Sequence, residues 1–397
     1  MTYLKQYYNR KRPPMSSLKF SHLSAGFIAV LVGFTSSVAI IFQAAESLGA
    51  NQAQLNSWML ALGIGMGASS IILSLKFRMP IITAWSTPGA ALLVTSLEGV
   101  SMSDAIGSFM LSGALILLFG IAGWFEKVQR LIPSTVANAM LAGILLQFGL
   151  SIFHSIQNQT LLVSIMLASY LVGKRYLGNF NIPSVFAIGI ITCLLTGMFN
   201  TQPIIITFAS PVWTQPSISL TTIISVAIPL FIVTMTSQNL PGAATLKAAG
   251  YQAPLSASLK VTGLCTMLLA PFGGFSFNLA AITAAICCAR DVDENPNTRY
   301  LAAIATGGFY IVIGLFGATV VSLFFIAPKA LVSSIAGLAL LTTLANSLKA
   351  SLSDDYEKEA ALITFLVTVS GISFFSIGSA FWGLLMGMCT LAISKKT

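Results

Sequence analysis

Charge is what this chain has least of. Only 8% of its 397 residues are Asp, Glu, Lys or Arg, against about 25% in soluble domains. That excludes a fold with an ordinary water-facing surface. Histidine is almost absent, with only His22 and His154. The five cysteines, Cys193, Cys265, Cys287, Cys288 and Cys389, sit in apolar runs without ligand spacing, and read as small buried hydrophobes. No metal set and no cofactor motif is left to propose. Hydrolysis at membrane depth needs a His beside a Ser, paired carboxylates or metal ligands. No apolar run carries such a set, which argues against an enzyme.

What the chain has is hydrophobic length, 56% of it. At roughly 20 residues per crossing, the apolar runs divide into about fourteen segments. They lie near 24–45, 57–75, 81–97, 104–124, 133–153, 160–177, 184–199, 220–238, 254–270, 273–289, 300–320, 328–348, 359–375 and 377–394. The expected fold is an all-α polytopic membrane protein. No cleavable signal is expected, since the first apolar run lacks a small-residue cleavage pattern.

Basic residues test the count. With the N-terminus inside, the cytoplasmic connections collect Lys76 with Arg78, Lys127 with Arg130, Lys174 with Arg175, Lys247, Arg290 with Arg299, and Lys349 with Lys358. Lys329 falls outside, and Lys260 is ambiguous within the ninth segment. Lys and Arg favour the cytoplasmic side strongly enough to set orientation, so both termini are expected to be cytoplasmic. The net charge of +9 is then explained by orientation and contact with anionic lipid. It calls for no nucleic acid.

Fourteen segments split into seven and seven, and an odd number per half inverts the second half relative to the first. The third segment is the most informative. It runs Trp85-Ser-Thr-Pro-Gly-Ala-Ala91 after a β-favouring stretch from Ile81. Pro belongs in the first helical turn and Ser or Thr just before it caps, so an extended stub should turn into a half-helix at membrane depth. The tenth segment offers Phe275-Ser-Phe-Asn-Leu-Ala-Ala281 after Pro271, Gly273 and Gly274, with Asn278 as the expected cap of a half-helix starting at Leu279. Such a matched pair of interrupted segments points to a transporter site. Each helix end can favour an anion by up to about 1–2 kcal/mol.

The candidate ligand contacts follow. Ser86, Thr87 and Gly89 would supply the first helix end, and Ser276, Phe277 and Asn278 the second. Gln43 and Gln238, in segments one and eight, would add neutral amides; the alternative is interhelical glue. Phe42, Trp85 and Phe275 would wall an apolar slot. Asn239, just before Pro241, is read as a helix cap. Glu46 lies one turn beyond Gln43 on the same face, which makes it the candidate for proton coupling; the alternative is a solvated charge. Gly63-Ile-Gly-Met-Gly67 and the run from Gly113 to Gly123 are read as helix-packing faces.

Several of these blocks carry a resemblance. Gly33-Phe-Thr-Ser-Ser-Val-Ala-Ile-Ile-Phe-Gln-Ala-Ala45, Thr83-Ala-Trp-Ser-Thr-Pro-Gly-Ala-Ala-Leu-Leu93, Met140-Leu-Ala-Gly-Ile-Leu-Leu146, Pro229-Leu-Phe-Ile-Val-Thr-Met-Thr-Ser-Gln-Asn239, Ala280-Ala-Ile-Thr-Ala-Ala-Ile-Cys287 and Gly378-Ser-Ala-Phe-Trp-Gly383 closely resemble the bacterial benzoate/proton symporter family (benzoate membrane transport, BenE type). The resemblance covers nearly the whole chain after the basic tail at 1–22. It implies a seven-plus-seven inverted-repeat fold in the bacterial cytoplasmic (inner) membrane. The core would be 23–125 with 218–320, and the gate 133–200 with 327–394. It implies uptake of an aromatic carboxylate, benzoate, together with protons. A homodimer is compatible with this reading. Nucleobase relatives carry a carboxylate in the eighth span; here Thr234-Met-Thr-Ser-Gln-Asn239 has none, which suits an anionic ligand better. A nucleobase or inorganic-anion permease, and a passive channel, are the rivals.

Overall fold

The computed structural model describes residues 18–97, 99–124, 133–199, 206–372, 374–375 and 379–394. Most of the basic tail lies outside the described residues, as do Glu98, Lys127, Arg130 and Gly378.

Fourteen segments are present in the expected order. Span 1 is α1 (Phe20–Thr35) and α2 (Val38–Ser47), broken at Ser36–Ser37. Span 2 is α3 (Gln52–Phe77), started by an Asn51–Gln54 capping box and stopped at Arg78 in a left-handed conformation. Span 3 is the stub β1 (Thr83–Trp85) and the half-helix α4 (Thr87–Ser96). Then come α5 (Met102–Ala122), α6 (Ser134–Asn158), α7 (Thr160–Tyr176) and α8 (Asn181–Leu195) as spans 4 to 7. The second half opens with α9 (Leu220–Ala248) and α10 (Leu255–Leu269), then β2 (Phe277–Leu279) leading to α11 (Ile282–Cys288) as span 10. Spans 11 to 14 are α12 (Tyr300–Leu315), α14 (Lys329–Ser351), α15 (Lys358–Val369) and α16 (Ser379–Ser394). The short α13 (Gly317–Ile326) precedes span 12.

Among the described residues, seven helices are long and apolar enough to cross a membrane, or eight counting the bent pair α12–α13. The remaining segments are short or broken. The stretch 300–320, expected as one span, bends by 67° between these two helices. The turn is made where Gly317 comes against span 2, so close that a Cβ there would lie 2.7 Å from Met59 Cβ.

The packing repeats with inverted symmetry. Span 2 lies along span 11, and span 9 along span 4; span 1 meets span 11, and span 8 meets span 4. Outside this group, span 5 lies along span 12, span 6 along span 7 and span 13 along span 14. Glycine makes the first two contacts close, as read from the sequence. A Cβ on Gly63 would sit 2.5 Å from Gly314 Cα, and one on Gly263 would sit 2.5 Å from Leu117 N. Without a hydrophobic drive between helices in lipid, such close approach is what holds spans together.

Polar contacts fasten both ends of this group. On the face where span 1 begins, buried Asp293 takes Lys19 Nζ at 3.0 Å and lies 3.2 Å from His22 Nε2. Arg299 Nε donates to the Asp293 carbonyl at 2.7 Å and Nη1 to the Cys288 carbonyl at 3.0 Å. Burial alone would raise the Asp293 carboxyl. The Asn295 amide, Thr298 and Lys19 outweigh it and pull the pKa down to about 2. A depressed carboxylate adds stability above its ordinary range and loses it as pH falls through the folded value. Asp293→Asn is therefore expected to lower the melting temperature in detergent by a few degrees, corresponding to about 1–3 kcal/mol. The loss should be equal at pH 7.5 and pH 9, where the native carboxylate stays ionised; a loss confined to one of these pH values would contradict the assignment. On the opposite face the link between the halves crosses the span tips. Val212 N donates to Ser57 Oγ (2.9 Å), Thr214 N to the Pro271 carbonyl (2.8 Å) and Ser217 Oγ to Asp104 (2.6 Å).

Candidate functional site

The two stubs meet. β1 and β2 pair antiparallel, with Thr83 opposite Leu279, Ala84 opposite Asn278 and Trp85 opposite Phe277. Two strands alone leave outer backbone groups unpaired, which lipid does not forgive. Neighbouring spans supply the partners. Thr83 N donates to Ser70 Oγ of span 2 (2.9 Å), and Phe277 N donates to Thr266 Oγ1 of span 9 (3.1 Å). These positions are equivalent under the repeat. Leu279 N donates to Asn239 Oδ1 of span 8 (3.0 Å).

The first half-helix is capped as its sequence implies. Ser86 Oγ accepts from Gly89 N at 3.0 Å, and Pro88 occupies the first turn. Pro88 has no N–H and the Gly89 amide is used by the cap. The Thr87 amide is thus the one first-turn donor left for a ligand. Gly89 is not an approach point. A Cβ on it would meet Ser86 Oγ at 2.7 Å and Leu230 Cδ1 at 2.8 Å, so it serves packing against span 8.

The second half-helix starts later than expected, at Ile282, with Ala281 as its cap residue and no side-chain cap bond. Asn278 is not a cap. It sits mid-strand, fully buried, with Nδ2 on the Ser276 carbonyl (3.0 Å). Pairing with β1 wins over the local capping preference of Phe-Asn-Leu. Ser276 has a left-handed φ of 47° and belongs to a buried hydroxyl chain. Its Oγ is 2.6 Å from Thr234 Oγ1, which donates to Ser86 Oγ at 3.4 Å.

A cavity of about 240 Å³ opens where these elements converge. From the first half it takes Gly33, Ser36 and Ser37 at the break in span 1, then Trp85, Thr87 and Pro88. From the second it takes Ser237 and Gln238 of span 8, Ala280 to Thr283 of span 10 and Tyr310 of span 11. Ala339, Leu340 and Thr343 of span 12 close the far side. Thr283 and the Tyr310 hydroxyl lie together against Gly33 at this wall. No Asp, Glu, Lys, Arg or His is among the described lining residues. The volume is below the ~300–1,000 Å³ of drug-sized sites and suits a small ligand.

Of the expected contacts, Trp85, Thr87 and Gln238 reach this cavity. Gln43 and Phe42 do not; they lie about one and a half turns beyond Ser37. Phe275 packs in the core against Trp58 and Phe109, with centroids 5.9 and 5.6 Å apart. The Phe277 ring lies on Gly65. Glu46 is exposed in the last turn of α2. The residues that sequence reasoning passed over are Ser36, Ser37, Thr283, Tyr310 and the span 12 trio. The Ser-Ser doublet was the one usable sign, because the break in span 1 falls there without Pro.

The fold has known counterparts. The chain is similar to the transmembrane domain of a cyanobacterium bicarbonate transporter, BicA (TM-score 0.57, 12% identity, 93% of this chain and 97% of that one). It is also similar to the overall structure of SLC26A9 (TM-score 0.64, 13% identity, 99% of this chain and 67% of that one). The fold shared with these is the seven-plus-seven inverted repeat. The model of the family described as benzoate membrane transport protein matches residues 16–393, and the chain belongs to that family. It is 46% identical to "Inner membrane protein YdcO" of Escherichia coli, covering 92% of this chain and 93% of that one. It is 38% identical to "Benzoate membrane transport protein" of Acinetobacter baylyi, covering 94% of each.

Proposed function

We propose that this protein takes up an aromatic carboxylate, benzoate, together with protons across the bacterial inner membrane, with both termini cytoplasmic. The supporting observation is the chemistry of the cavity. It is small, carries no charged side chain among its described lining residues, and is lined by Trp85 together with the donor-bearing residues Thr87, Gln238, Ser36, Thr283 and Tyr310. An anion there meets donors and the positive end of α4 without a competing carboxylate. α11 has seven residues, so its dipole adds less. An aromatic ring would lie against Trp85 and Leu340. Spans 1–4 with 8–11 would move as a core against spans 5–7 with 12–14, exposing the cavity to each side in turn.

Import of an anion against an inside-negative potential costs about 2.3 kcal/mol per 100 mV, so a cation must accompany it. No carboxylate or histidine lines the cavity among the described residues. The substrate therefore binds as the anion and takes up its proton in the cavity, on its own carboxylate rather than on Glu46, before release inside. Glu46→Gln should keep gradient-driven accumulation within about twofold of wild type. Loss of gradient dependence in that variant would return the role to Glu46.

Substrate class is tested by initial uptake of labelled benzoate into cells expressing the protein, with unlabelled benzoate, uracil, bicarbonate and sulfate as competitors. Benzoate alone should compete. Competition by uracil or an inorganic anion, with benzoate inert, would overturn the proposal.

A further inference from the structure

Span 8 is not a uniform α-helix. At Met235–Asn239 it widens into a π-turn, a feature that costs hydrogen-bond geometry and is found mostly at functional sites. The wider turn brings neighbouring residues Ser237 and Gln238 to the cavity together. What holds the turn is the next residue. Asn239 is fully buried. Its Nδ2 donates back to the Thr234 carbonyl at 3.3 Å, across the π-turn. Its Oδ1 accepts Leu279 N of β2 at 3.0 Å. One side chain thus ties the irregular turn to the paired stubs.

The first half repeats the device with different atoms. Span 1 is broken at Ser36–Ser37, again at the cavity wall. Buried Ser37 accepts Trp85 Nε1 at 2.7 Å and donates to the Gly33 carbonyl at 3.0 Å. Trp85 and Leu279 are each the last residue of their stub. Each irregular turn is therefore fastened to the matching residue of its own half's stub.

We infer that Asn239 is a positioning residue: it holds the π-turn of span 8 against β2 and so aims the Gln238 amide into the substrate cavity. Asn239 lies outside the described cavity wall and acts through its neighbour. This rests on the proposal that the cavity binds benzoate.

The test is a double-mutant cycle on benzoate affinity in detergent-purified protein. Gln238→Ala, Asn239→Leu and the double variant are compared with wild type, and size-exclusion profile reports folding. Gln238→Ala should weaken binding about tenfold, Asn239→Leu about tenfold, and the pair together still about tenfold, because both remove one contact. Asn239→Ala, which adds no bulk, should match the Leu variant. A hundredfold loss in the double variant, or less than twofold in either folded Asn239 variant, would overturn the inference while leaving the cavity assignment standing. Failure of both Asn239 variants to fold would overturn it too, since the residue would then be holding up the fold. If Gln238→Ala binds benzoate as wild type does, the cavity assignment itself falls, and this inference with it.

Discussion

Thr87→Asp is expected to abolish benzoate uptake while the protein still folds and inserts. Thr87 is the first residue of α4 and lines the cavity. An aspartate there favours the helix, because a negative charge in the first turn complements the dipole. It also places like charge beside the substrate carboxylate. At about 5 Å and an effective dielectric of about 20, the repulsion is about 3 kcal/mol, or about a hundredfold in affinity. Thr87→Ser keeps the hydroxyl and the amide and should transport within a few-fold of wild type. Uptake by the aspartate variant at a wild-type rate, measured with equal amounts of folded protein, would remove Thr87 from the site.

The second large effect concerns the platform under the site. Gly65 of span 2 lies against the Phe277 ring, and a Cβ on Gly65 would overlap that ring. Phe277 is fully buried and paired with Trp85, so the ring has no free volume to enter. Gly65→Ala should displace β2 and cost about 3 kcal/mol or more, at the upper end of overpacking effects. Most of the monodisperse protein should be lost on size exclusion. Gly308 is the control. It lies on span 11, and a Cβ there meets nothing within 4 Å. Gly308→Ala should be neutral or slightly stabilising, since alanine favours helix over glycine by up to about 1 kcal/mol. Equal behaviour of the two alanine variants would contradict the packing described around the strand pair.

The fold class was legible because lipid punishes irregular backbone. A Ser-Thr-Pro-Gly run at membrane depth has few explanations, and the stub and cap at Trp85–Gly89 lie where that run puts them. The family resemblance, resting on several long blocks, is borne out over almost the whole chain. The tenth segment was harder. Phe275–Ala281 resembles Trp85–Ala91, yet Trp85 ends β1 two residues before its half-helix, whereas Phe275 precedes β2 and lies seven residues before the helix at Ile282. Local capping preference at Asn278 gave way to a tertiary pairing that sequence periodicity does not encode. The same limit hid the cavity. Gln43 and Glu46 share a helical face, but which turn of span 1 meets the ligand depends on the break at Ser36–Ser37. Tyr310 and Leu340 join the site through packing between segments far apart in sequence. The aromatic residues show the cost of choosing by type. Of Phe42, Trp85, Phe275 and Phe277, only Trp85 reaches the cavity, and the others fill the core.

Purified protein in liposomes decides the central claim, that an uncharged pocket between the broken spans carries benzoate with its proton. Saturable initial uptake is measured above that of protein-free vesicles, with and without an inward proton gradient. Benzoate should enter faster and accumulate when the lumen is alkaline, and a protonophore should remove that gain. Uptake indifferent to the gradient, or a protein that moves bicarbonate or sulfate and leaves benzoate outside, would contradict it.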